Sequence, residues 1–258
     1  MTASTAANSA KSADLAVMPL VLMYHSVAPY DEDPHEVTLT PHRFEQHMHW
    51  LHRRKLRGVS MTELLRAKAQ GQGRGLVGLT FDDGYQDFLT YAIPTLQKFG
   101  FTATTFVLAG RLGGEDEWNR PAPVKTLMTK DEVRRVAAAG MEIGSHGLAH
   151  VKLTEVDDET LKAEAVHSRA ILSELVGSEV TGFCYPFGKI EPRVVNAIKS
   201  AGYEYACAIW PSRTIGRHAI PRTYVHDRDT SWRLDAKRLV AGARVGNRFA
   251  VRRHRGAS

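Results

Sequence analysis

Leu76-Val77-Gly78-Leu79-Thr80-Phe81-Asp82-Asp83-Gly84 is the stretch on which the fold reading turns. Six residues without a charge give way abruptly to two adjacent carboxylates and a glycine. A short apolar run bounded by turn residues reads as a strand buried on both faces, the kind found in parallel sheets. Asp and Gly are ordinary turn formers, yet a turn does not call for two acids at the end of a buried strand. Like charges so close repel, and a low-dielectric setting makes that worse unless a cation neutralises one of them. A bound metal would resolve the conflict, taking one carboxylate and leaving the other free as a base.

Outward from this strand, β-rich runs alternate with helical patterns. Strands are expected at 20–24, 102–108, 141–144, 180–185, 203–209 and 219–225. Thr40 followed by Pro41 opens a helix with Phe44, Met48 and Leu51 on one face. Ser60 with Glu63 and Thr129 with Glu132 read as capping boxes. Further helices are expected around 94–99, closed by Gly100, then at 158–176, stopped by Gly177, and at 193–201 and 231–241. The long loop 110–123 is expected to border a substrate groove. This β-then-α rhythm predicts a parallel sheet covered by helices. The polar clusters His25, Asp82-Asp83, His146 and Tyr185 to Gly188 each follow a strand, so a parallel fold collects them at one rim.

His146 and His150 follow the 141–144 strand with three residues between them, a spacing that lets both imidazoles reach one ion if the segment coils. The chain holds 12 histidines, so such a pair is only suggestive alone. His42, His47, His49 and His52 crowd one helix and are read as surface. Two histidines and an aspartate would leave coordination open for water, as catalytic zinc requires.

At 258 residues, 43% hydrophobic and 24% charged, the chain suits one large ordered domain. Cys184 and Cys207 are its two cysteines; they form no disulfide framework and are expected as small buried side chains. The net charge of +6 is concentrated in Arg244, Arg248, Arg252, Arg253 and Arg255. No recognition motif accompanies it, so a nucleic-acid partner is not expected; the tail either touches an anionic surface or is solvated. The apolar run 15–23 is preceded by Asp14, interrupted by Pro19 and followed by no small-residue cleavage site, a poor match to a signal peptide. No segment approaches membrane-spanning length, and the default expectation is a cytoplasmic protein.

Thr80 to Gly84 (T-F-D-D-G), Ser145 to His150 (S-H-G-L-A-H) and Tyr185 to Gly188 (Y-P-F-G) resemble, in order, the first three motifs of the NodB-homology domain of carbohydrate esterase family 4, the polysaccharide deacetylases. The resemblance covers roughly residues 20 to 225 by this element reading. It implies a single-domain α/β fold, a deformed (β/α)7-type barrel, and a divalent metal, usually zinc, with cobalt, nickel or manganese as alternatives. It also implies removal of N- or O-acetyl groups from sugars. Carried onto this chain, it makes Asp83, His146 and His150 the metal ligands and Asp82 the general base. The backbone N–H at Phe187 becomes an oxyanion donor, with Tyr185 in the same motif beside the substrate.

Two departures follow. Where many members have an arginine in the third motif, this chain has Cys184; Arg222, in Ile220-Pro221-Arg222, either takes over the pairing with the catalytic aspartate or is a surface arginine. The usual late L-x-H motif is missing near the C-terminus, although His226 follows a strand. Met23 to Val27 (M-Y-H-S-V) instead resembles the early motif of a permuted subgroup typified by poly-N-acetylglucosamine deacetylases. Leaving-group protonation is therefore assigned to His25, against the plainer reading of a histidine bonded at the rim. Trp210 follows a strand and is a candidate to stack on a sugar, or a core cap. The expected organisation is a flexible leader over 1–18, a catalytic domain over 19–243 with its core motifs in 76–225, and a basic tail over 244–258. The rival functions are a non-catalytic carbohydrate-binding barrel and an amidohydrolase acting on small-molecule C–N bonds.

Overall fold

A computed structural model describes residues 20–209 and 216–241. The expected leader, the basic tail and Trp210 lie outside these residues.

In chain order the strands are β1 (Val21–Tyr24), β2 (Ser26–Val27), β3 (Thr38–Leu39), β4 (Arg57–Val59), β5 (Leu76–Phe81), β6 (Thr104–Val107), β7 (Glu142–Ser145), β8 (Gly182–Cys184), β9 (Tyr205–Ile209) and β10 (Ile220–Tyr224). The helices are α1 (Pro41–Arg53), α2 (Met61–Ala69), α3 (Ile93–Lys98), α4 (Lys130–Ala138), α5 (Asp158–Val176), α6 (Pro192–Ser200) and α7 (231–241). Strand β1 pairs in parallel with both β10 and β5, and β5 through β10 continue the ring by β6, β7, β8 and β9. Seven parallel strands thus close into a (β/α)7-type barrel. Its irregularity lies at β5, whose first half pairs with β4 (Arg57↔Leu76 to Val59↔Gly78) while its end pairs with β6 (Thr80↔Thr104). The two- and three-residue strands β2, β3 and β4 are too short to carry a sequence period.

Inside the ring, Val21, Phe106, Cys184, Tyr205, Cys207 and Ile220 form one buried cluster, separate from the larger core between strands and helices. Glycines make room for its rings. A Cβ at Gly144 would lie 2.4 Å from the Phe106 ring, and one at Gly182 would lie 2.1 Å from the Tyr205 hydroxyl. At the floor, Glu142 accepts from Thr62, Thr104 and Tyr205, so the barrel is plugged by a satisfied polar network rather than left open. The aspartates and histidines singled out in the sequence as site candidates lie at the opposite rim, where all seven strands end.

The local signals are realised with two changes. Thr40 caps α1 and buries Phe44, Met48 and Leu51; Thr129 and Glu132 form a complete capping box. At α2 the box is only half formed. Ser60 accepts from Glu63 N–H, but the Glu63 carboxylate takes Thr102 instead, and Thr102 accepts from Ser60 N–H. The helix expected at 94–99 is entered earlier, through a π-helical turn at Phe88–Ala92. His42, His49 and His52 are exposed as expected, whereas His47 is a correction: it is buried, with Nε2 2.7 Å from the Asp229 carbonyl. Both cysteines are buried and free.

Candidate active site

Strand ends deliver the functional side chains. Asp82 and Asp83 follow β5, His146 follows β7, His25 follows β1, and Arg222 projects from within β10. On β10, Ile220 and Arg222 alternate into the barrel, so the strand period that places Ile220 in the inner cluster also places the guanidinium beneath the rim. Its side chain is fully buried, which excludes the surface reading.

Adjacent in sequence, the two aspartates face different partners because Asp83 takes φ 71, the left-handed region that strains a residue bearing a Cβ. Asp83 Oδ1 lies 3.2 Å from His146 Nε2 and 3.3 Å from His150 Nε2, with all three ligand atoms within 4.8 Å of one another. Among the described residues that buried oxygen makes no well-directed hydrogen bond; His150 Nδ1, the other nitrogen of its ring, also has no partner there. A buried carboxylate oxygen left without a hydrogen bond beside two imidazole Nε2 atoms suits a cation, and two imidazoles with one carboxylate suit zinc and its neighbours. His146 is oriented by its other nitrogen, Nδ1, 2.9 Å from the Cys184 carbonyl, an outer contact typical of ligating histidines. Burial acts against charge on Asp83, but His150 and His146 outweigh it and hold the carboxyl well below the usual range. Burial brings His150 down to about 4, the direction a neutral ligand requires. At His146 burial is outweighed by the hydrogen bond to Asp83 and the charges of Asp82 and Asp83, which move the pKa up.

Asp82 belongs to a different network. Arg222 donates to both its oxygens, Nη1 to Oδ1 at 2.6 Å and Nη2 to Oδ2 at 2.7 Å, and also to Thr80 Oγ1 at 3.1 Å. The guanidinium lies 2.9 Å from Cys184 Sγ and stands 5.7 Å from the centre of the Phe106 ring. Burial would raise the Asp82 pKa, yet the Arg222 charge and hydrogen bonds lower it, so the group stays ionised. A second donor set, Asp82 with His146 and Cys184, is close enough for an ion. It is the poorer site, because Arg222 already neutralises Asp82 and burial pushes the Cys184 thiol up. His25 Nε2 stands 3.9 Å from Asp82 Oδ2, within reach through one water, and burial lowers its pKa.

The third-motif residues divide. Phe187 sits at the rim with φ 58, its ring 4.5 Å from that of His150 and its side chain partly exposed. Tyr185 is a correction: its side chain is buried among the outer core and its hydroxyl donates to the His218 carbonyl at 2.7 Å, so it does not face the site. Two residues escaped the sequence reading. Trp118, in the long loop expected to border the groove, packs its ring against His150 at 4.4 Å between centroids, a ring that also meets Phe187 and His146. That loop is tied down where Tyr85 donates to Asp116 and accepts from Asn119. Glu164, buried on α5, accepts from Leu148 N–H at 2.5 Å and Ala149 N–H at 3.4 Å, holding the turn between the two ligand histidines. A Cβ at Gly147, where φ is 84, would lie 2.6 Å from the same carboxylate, which accounts for that glycine. The only sequence signal for Glu164 was an acid among the inward positions of an amphipathic helix.

A family model described as polysaccharide deacetylase matches residues 69–206. The Bacillus subtilis (strain 168) protein YxkH, named for the same family, is 27% identical over 210 residues, covering 80% of this chain and 70% of that one. A Staphylococcus aureus poly-β-1,6-N-acetyl-D-glucosamine N-deacetylase is 24% identical over 177 residues, covering 65% of this chain and 59% of that one. Among solved structures, the Streptococcus pyogenes deacetylase PplD in complex with acetate superposes with a TM-score of 0.73 at 21% identity, covering 86% of this chain and 98% of that one. At that identity the likeness establishes the fold.

Proposed function

Because this chain belongs to the polysaccharide deacetylase family, we propose that it is a metal-dependent hydrolase removing acetyl groups from N-acetylglucosamine polymers. The observation that carries the reading is the buried Asp83 oxygen that faces two imidazole nitrogens without a well-directed hydrogen bond, beside an Asp82 already neutralised by Arg222. One acid is thus available to an ion while its neighbour is kept apart from it. Asp83, His146 and His150 would hold the metal, with zinc the first candidate; when bound it supplies a Lewis acid that brings water near neutral pKa and favours negative charge on the acetyl oxygen.

The remaining roles fall to the chain's own groups. Asp82, held ionised by Arg222, accepts the proton of the attacking water. His25 returns a proton to the departing amine, a task its position across from Asp82 permits. The backbone N–H of Phe187 donates to the developing oxyanion. Trp118 and Phe187 flank His150 and exclude water from one side of the mouth. The non-catalytic and small-amide readings have no observation in their favour.

The test is acetate release from poly-β-1,6-N-acetylglucosamine, chitooligosaccharides and peptidoglycan fragments, with metal analysis of the same sample. Release that a chelator abolishes and zinc or cobalt restores is expected. Sugar binding without release would make the chain a binding module; release only from small amides would move it to the other rival.

A further inference from the structure

Independently of the rim chemistry, the C-terminal helix presents an arrangement that a water-facing helix should not have. At about 100° per residue, positions 232, 236, 239 and 240 share one side of α7. They are Trp, Ala, Leu and Val, and Trp232, Leu239 and Val240 are 66%, 73% and 42% exposed. Leu234, on the other side, is 1% exposed and belongs to the core. Apolar residues therefore cover both the packed face and the face turned away from it, and they include the two most exposed large apolar side chains among the described residues.

Among the described residues, the charge that pairing within the protein leaves over around this face is positive. The acids on or next to α7 are matched within the protein, Asp235 by Arg54 and Asp229 by Lys237. Arg233 and Arg238 are exposed, and the Arg233 guanidinium stands 5.1 Å from the centre of the Trp232 ring. From residue 236 to the end, the sequence carries Lys237, Arg238, Arg244, Arg248, Arg252, Arg253 and Arg255 and no Asp or Glu. No helix among the described residues is long and apolar enough to cross a membrane.

We propose that this face of α7 docks on the surface of an anionic lipid bilayer, with Trp232, Leu239 and Val240 entering the headgroup boundary and the surrounding arginines meeting lipid phosphates. Trp favours that boundary because it is apolar in body and polar at one edge. Neither part is sufficient alone. Three side chains bury too little area for strong partitioning, and each basic residue near an anionic surface adds only a small further attraction. An apolar patch surrounded by cations is what distinguishes a lipid surface from a nucleic acid, which needs the charge but not the patch.

The test is co-sedimentation of the full chain with vesicles of phosphatidylcholine, with or without phosphatidylglycerol, alongside a duplex-DNA binding assay and a measurement of oligomeric state. Binding to the anionic vesicles is expected, weakened by salt and at least about tenfold poorer on the neutral ones. Trp232→Ser with Leu239→Ser should lower partitioning about tenfold or more while acetate release from a soluble substrate and the melting temperature stay at parental values. Leu239→Gln alone reads the same effect should the double variant fail to fold. Absence of vesicle binding, or partitioning unchanged in the variants, overturns the proposal. So does tighter binding to DNA than to vesicles, or a dimer that the same substitutions dissolve, which would assign the face to a second copy of this chain.

Discussion

The two sides of the barrel mouth are built on opposite terms, although they begin from neighbouring residues of one strand end. Asp82 and Arg222 stand on regular backbone, and one buried cation answers one buried anion through two short hydrogen bonds. Asp83, His146 and His150 set one carboxylate against two imidazoles rather than a permanent cation, and the cluster is held on strained turns: Asp83, His150 and the adjoining Phe187 all have positive φ. Non-glycine residues held in that region persist where surrounding structure over-determines them, and they gather at ligand-binding sites. The first side is complete as the protein makes it. The second brings three ligand atoms within reach of one added ion. That asymmetry lets two adjacent acids do different work, since a base that also bound the ion would lose its basicity.

Breaking each side in turn should give different signatures. His146→Ala removes a ligand and is expected to abolish both metal retention and turnover. Asp82→Asn should retain the metal while lowering turnover by about 10²–10⁴, the usual contribution of a positioned base. Metal stoichiometry measured beside acetate release separates them; equal metal loss in both variants would erase the distinction between the two sides. Next in size is Arg222→Met, which leaves Asp82 buried without its partner. It should cost about 3–5 kcal/mol in urea unfolding and lower turnover, with metal content unaltered. Combining it with Asp82→Asn should recover much of the lost stability, because the penalty comes from the orphaned charge. Unaltered turnover in Arg222→Met would leave the pair a structural feature only.

Glu164→Gln probes the metal side from one layer further out. The carboxylate gathers the N–H groups of Leu148 and Ala149, and an amide oxygen can accept the same bonds without the charge. An affinity for zinc about 10-fold to 100-fold weaker is expected by chelator competition, the range typical of outer-shell substitutions. The Asp82–Arg222 side should be untouched, so unfolding of the metal-free protein should shift far less than in Arg222→Met. Zinc affinity equal to the parent's would mean that the strained turn holds itself.

How far the site was legible in the chain depended on whether a residue acts locally. T-F-D-D-G and S-H-G-L-A-H are compact, and a parallel fold necessarily brings strand ends to one rim, so Asp82, Asp83, His146 and His150 could be found from order and spacing. Arg222 is undecidable from sequence because nothing local says whether a lone arginine on an end strand turns inward. Only barrel closure, which seats β10 beside β1, places it under Asp82. Tyr185 misleads for a related reason: the backbone of Y-P-F-G lines the mouth, but its first side chain alternates outward into the helical layer. Glu164 and Trp118 lie on a helix and a long loop whose approach to the rim is fixed by tertiary packing alone. The barrel itself was readable because its strands are short apolar runs separated by capped helices, and β4 was not, having three residues.

His47 sharpens the contrast from outside the mouth, because it shows what a buried histidine does when the protein fills both of its nitrogens. Nε2 meets the Asp229 carbonyl at 2.7 Å and Nδ1 faces the Tyr24 hydroxyl at 3.4 Å, so no donor position is left for an ion. Burial lowers its pKa to about 4, against about 6.5 in an unfolded chain. Between those values the unfolded state binds the extra proton. The contribution of neutral His47 is therefore intact above about pH 6.5 and is lost as the pH falls toward about 4. From about pH 7 to about pH 5.5 the parent should lose roughly 1 kcal/mol of unfolding free energy that His47→Gln does not lose. Urea unfolding of both proteins in metal-free buffer at the two pH values reads the difference. Parallel pH slopes would show that this imidazole already carries its proton in the folded state, and the division between histidines satisfied by the protein and histidines waiting for a cation would have to be redrawn.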